Sequence, residues 1–135
     1  MRRWLLALAV TLAVLAPTAM AQVPEHARDL RWHTFVGGTD VSSSRTQVDD
    51  NPGRIDMGES PWRCGFARTR YAGVGRDDWS VQRVLACRRG EATVSSTAWC
   101  RREGARLHEH AATLSLGTVG SSDHVTVTLS CDPPD

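Results

Sequence analysis

The chemistry this chain could do rests mainly on arginine and histidine. All 16 of its basic residues are arginine, and there are five histidines beside them. Arg68, Arg70, Arg83, His108 and His110 stand out, because pairing the segments that carry them gathers all five on one sheet face. A planar guanidinium binds carboxylate, sulfate or phosphate through two parallel hydrogen bonds. Such a cluster on a concave sheet suits an anionic ligand. The bland alternative is that Asp49, Asp50, Asp56 or Glu59 covers the arginines as structural ion pairs; a different register would simply leave them on the surface. Trp99 lies among Thr93, Ser95 and Thr97, where an exposed indole is a contact for carbohydrate or protein unless a second layer covers it.

Metal and catalytic readings are thinner. His108-x-His110 puts two imidazoles on one side of a strand, but His124 falls too far away to be a third ligand, and zinc or copper sites use three or four. Asp49-Asp50-Asn51 lacks the ligand spacing of a calcium loop and reads as a turn. A hydrolase of the small-ribonuclease type would use Glu109 or His110 as base and an arginine to stabilise the anion. Glu109 and His110, however, point to opposite faces, and no G-x-S-x-G nucleophile motif is present. No cofactor and no catalytic residue are expected.

Arg2-Arg3, the apolar run Trp4–Ala16 and Ala19-Met20-Ala21 have the layout of a cleaved secretory signal. Removing residues 1–21 leaves 114 of 135 residues, with 14 arginines against 15 acidic side chains, a formal charge of −1. That balance argues against a nucleic-acid or membrane-surface protein, and no membrane span is expected after cleavage. Cys64, Cys87, Cys100 and Cys131 are an even set in an exported chain and read as two disulfides.

The elements that position these residues are strands. Val125, Val127, Leu129 and Cys131 alternate with Thr126, Thr128 and Ser130, a period of two rich in β-branched residues. Leu30–Val36 reads as a first strand with Trp32 and Val36 inward, and Trp62, Cys64 and Phe66 share one face of the next. Trp79, Val81, Leu85 and Cys87 share another face, with Arg83 as the one polar intruder, and Ala92–Cys100 alternates in the same way. Gly37–Ser60 is expected to be mostly loop, with a type II turn at Asn51-Pro52-Gly53 and room for a short edge strand near Arg54–Met57. Tyr71–Asp78 reads as a turn, and no amphipathic helix stands out.

An antiparallel meander of these segments, with a four-residue loop after Cys87 and a five-residue loop after Cys100, opposes apolar residues throughout. In that register Cys87 and Cys100 lie about 26 Å apart, beyond the reach of one bridge. The expected disulfides are therefore Cys64–Cys87 and Cys100–Cys131.

The expected fold is all-β, a small antiparallel sandwich or open barrel of about six strands. Residues 1–21 are read as signal, 22–29 as a lead-in and 30–135 as one domain. The expected role is a secreted or periplasmic binding module whose partner is an anionic small molecule or glycan, or another secreted or surface protein. Nucleic acid is not expected as a partner. The ribonuclease-type hydrolase, or an interaction protein without a ligand pocket, is the alternative.

Overall fold

Alternation governs the architecture. The computed structural model describes residues 30–73 and 75–132, so the assigned signal and lead-in lie outside the described residues. Ten strands form among them: β1 Arg31–Val36, β2 Thr39–Asp40, β3 Gly53–Arg54, β4 Arg63–Phe66, β5 Arg70–Ala72, β6 Asp78–Arg89, β7 Ala92–Glu103, β8 Arg106–His110, β9 Ala112–Leu116 and β10 Val125–Asp132. One short helix, α1 Ser44–Val48, interrupts the long loop. Its N-terminus is satisfied by a reciprocal Ser43–Thr46 capping box, a local signal that needs no amphipathic period.

The strands make two antiparallel sheets. One has the order β2-β1-β10-β9; the other runs β3-β4-β6-β7-β8, with β5 also pairing β6. The VTVTLSC segment is the core of β10, hydrogen-bonded on both sides: Trp32 opposes Cys131, and Leu116 opposes Val125. Inward side chains of both sheets, including Trp32, Trp79, Val81, Leu85, Ala98, Val127 and Leu129, belong to one buried cluster. Burying a large apolar side chain contributes about 1.5–3 kcal/mol, so the inward parity of each strand is strongly selected.

Both disulfides form as expected. Cys64 and Cys87 are directly opposed on β4 and β6, with Cα atoms 4.1 Å apart. Cys100–Cys131, at 6.1 Å, ties β7 of one sheet to β10 of the other. Such bridges persist in oxidising surroundings.

Several local expectations are corrected. The type II turn does not form, because Gly53 has no positive φ and is already in β3. Glycine is required there for space: a Cβ would sit 2.6 Å from the Phe66 ring. Tyr71 is in strand β5 rather than in a turn.

The two arginine-rich connections are not four- and five-residue loops. In each, the strands run through the arginines to a two-residue turn whose first member is a glycine with positive φ, Gly90 at 60° and Gly104 at 64°. A two-residue hairpin with glycine at that place matches strand twist, which explains why both turns close as tightly as possible. Arg106–Leu116 is also not one strand. It breaks at Ala111, with β8 pairing β7 and β9 crossing to pair β10.

Candidate functional site

Arg83 sits on the inward face of β6 between Val81 and Leu85, and only 1% of it is exposed. It donates from Nε to the Ala67 carbonyl at 2.9 Å and from Nη2 to those of Asp49 and Asn51 at 2.8 and 2.9 Å. Its Cζ lies 4.4 Å from the centre of the Phe66 ring and 5.3 Å from that of Trp32, so the aromatic faces meet the buried charge. Burial lowers its pKa to about 10, against the opposite pull of Asp50, Tyr71 and Asp49. Arg83 thus latches the long loop to the core. The acidic loop does cover it, but mostly through backbone carbonyls.

The same loop segment is held twice more. The Thr69 amide donates to the Asp50 carbonyl at 2.9 Å, and the Tyr71 hydroxyl donates to the Asp50 carboxylate at 2.6 Å. Burial first, then Asp50, raises the Tyr71 pKa above its ordinary 10.0. The folded state therefore binds this proton more tightly than the unfolded chain, a contribution complete below about pH 10 and lost as the pH rises further. Tyr71→Phe is expected to cost about 1–2 kcal/mol at pH 8, and the gap to wild type should narrow at pH 11. Paired urea denaturations at the two pH values check this. The comparison is needed because the lowered pKa of Arg83 acts in the opposite direction over that range. A gap independent of pH would refute the assignment.

The other candidates do not join Arg83. Arg68 is exposed between β4 and β5. Arg70, His108 and His110 lie on the outer face of the six-stranded sheet, where Trp99 also stands. The expected five-residue cluster is therefore split, for a definite reason. Observed pairing opposes Trp99 to His110 and Arg101 to His108, a register three residues away from that of a five-residue loop. An odd shift moves every side chain of a strand to the other face.

That outer face is the candidate site. Read across the strands from one end, its rows are Arg63, Arg88 and Thr93, then Arg54, Gly65, Ala86 and Ser95, then Val84 and Thr97. Further along, Arg70, Gln82, Trp99 and His110 share a row, followed by Ala72, Ser80, Arg101 and His108. Asp78, Glu103 and Arg106 close the far end. Six arginines share this face with only two carboxylates, both in the last row.

At the near end lies an open groove of about 880 Å³, bordered by Arg54, Met57, Arg63 and Arg88 and floored by Gly65 and Ala86. Gly65 is obligatory, since a Cβ there would meet the Gly53 carbonyl oxygen at 2.7 Å. Among the described residues, none of Arg54, Arg63, Arg70, Arg88 and Arg106 has an acidic partner; Glu103 pairs with Arg101 at 3.0 Å and comes within 4.0 Å of His108. Trp99 stacks on His110 at 5.6 Å, with Arg101 5.4 Å from its ring centre.

Sequence reasoning missed Arg54, Arg63, Arg88 and Arg101, although a signal was present. Arg63, Arg88 and Arg101 each adjoin an inward cysteine, and alternation alone sends them outward. Among the described residues no three metal-ligating side chains converge. On the other sheet the Ser115 hydroxyl and His124 Nε2 are 2.9 Å apart, an exposed pair with no third group hydrogen-bonded to the imidazole among the described residues. No protein-family model, curated protein or solved structure matches this chain.

Proposed function

We propose that this protein is a non-catalytic binding domain, exported through residues 1–21, whose ligand is anionic and lies on the outer face of the six-stranded sheet. One observation carries the reading: Arg63 and Arg88 oppose each other directly across β4 and β6, with Arg54 beside them and no carboxylate partner among the described residues. Like charges directly opposite on a sheet are destabilising, and an anion in the groove relieves that repulsion. Guanidiniums supply the two-pronged hydrogen bonding that carboxylate, sulfate or phosphate accepts, while Gly65 and Ala86 leave the groove floor open. A ribonuclease-type hydrolase is supported less well. Its best acid–base set, Glu103 and His108 with Arg101, sits at the exposed end of the face, away from the groove.

Calorimetric titration with dextran sulfate, using neutral dextran as control, tests the reading. Wild type is expected to bind only the sulfated polymer, more weakly as salt rises. The double variant Arg63→Ala/Arg88→Ala should lose at least about tenfold in affinity without any fall in melting temperature, since both side chains are exposed and their mutual repulsion is removed. Absence of binding by wild type, or equal binding by the variant, removes the proposal.

A further inference from the structure

We infer that the ligand is a linear acidic polysaccharide that runs along β6 and β7 across the whole outer face and is gripped at two separate places. This rests on the anion-binding reading and goes further, naming the ligand class and a second subsite. The first place is the groove with Arg54, Arg63 and Arg88. The second is the row of Arg70, Gln82, Trp99 and His110, with Arg101 and Arg106 beyond it.

Arg88 and Gln82 are six residues apart on one strand, which sets Arg88 about 20 Å from the second place, with Arg54 one row nearer. Between them β6 and β7 themselves carry Ala86, Val84, Ser95 and Thr97, none of them charged. A single small anion satisfies one arginine set and leaves the other bare. An extended chain with acidic groups along its length satisfies both, and once one end is held the other binds at high effective concentration.

The chemistry of the intervening surface favours sugar over nucleic acid. Proteins that read single strands on a sheet stack bases on two or three aromatic rings. Here Trp99 is the one Phe, Tyr or Trp of the paired outward rows, and the neighbouring imidazole of His110 is already stacked on it. Ser95, Thr97, Ser80 and Gln82 instead offer hydrogen bonds suited to a hydroxyl-rich chain. Both disulfides are also at home where acidic glycans are found, outside the reducing cytosol.

The test uses the disulfide-bonded protein and size-fractionated heparin oligosaccharides from the disaccharide upward. Affinity is expected to climb steeply with length until the chain spans the second set, and then to level off. Arg70→Ala/Arg106→Ala should lose at least about tenfold for long chains and nothing for the disaccharide; Trp99→Ala should do likewise to a smaller degree. Length-independent binding, or long-chain affinity untouched by these variants, overturns the two-place inference while leaving the groove as an anion site. Tighter binding of a single-stranded oligonucleotide of equal charge overturns the sugar assignment. Failure of every anion to bind removes the underlying proposal as well.

Discussion

Arg83→Ala is expected to destabilise the fold by about 3–5 kcal/mol, because it removes a buried charged donor and leaves its acceptors unpaired. The carbonyls of Ala67, Asp49 and Asn51 all lose the same partner, and the space between Trp32 and Phe66 becomes a void. For a domain of this size the midpoint of thermal unfolding should fall on the order of 20 °C. Arg83→Lys keeps the charge, but one ammonium lacks the fork that reaches three carbonyls, so a smaller loss is expected. Polyanion binding by Arg83→Lys, measured where it is still folded, should equal that of wild type, since Arg83 faces away from the arginine-bearing outer face. A stability loss below about 1 kcal/mol in Arg83→Ala would contradict the latch, and weakened binding in Arg83→Lys would contradict the separation of latch from site.

Opening both disulfides is the second large effect. Their partners are 23 and 31 residues apart in sequence, and each closed loop contributes about 3–4 kcal/mol by restricting the unfolded chain. Native domains of this kind retain only about 5–15 kcal/mol, so reduction of both should leave little net stability. Cys64→Ser/Cys87→Ser and Cys100→Ser/Cys131→Ser, melted beside wild type with and without reductant, apportion the loss. Non-reduced peptide maps should show Cys64 linked to Cys87 and Cys100 to Cys131. A Cys87–Cys100 link would contradict the register of the β6–β7 hairpin, and an unchanged melting point on reduction would contradict the stabilising role.

The sequence by itself determined which residues of a strand share a face, because a two-residue period is a local property of extended backbone. Val127, Leu129 and Cys131, and likewise Trp79, Val81 and Leu85, could be assigned inward from alternation alone, and the disulfide pairing followed from reach. The same parity marked Arg63, Arg88 and Arg101 as outward, but net charge concealed what that implies: a chain with a formal charge of only +1 places six arginines and two carboxylates on one sheet face.

Tertiary structure decided the rest. How tightly the Gly104 turn closes sets the register of β8 against β7, and a change by an odd number of residues exchanges inside for outside. His108 and His110 therefore stand beside Trp99, not beside Arg83. The crossing of the chain at Ala111 depends on β10 offering a free edge to β9, a long-range pairing with no local mark. Arg83 Nη2 is held by carbonyls 32 and 34 residues away in sequence. Backbone carbonyls are the same at every position, so only the folded path of the loop determines which of them meet the buried charge.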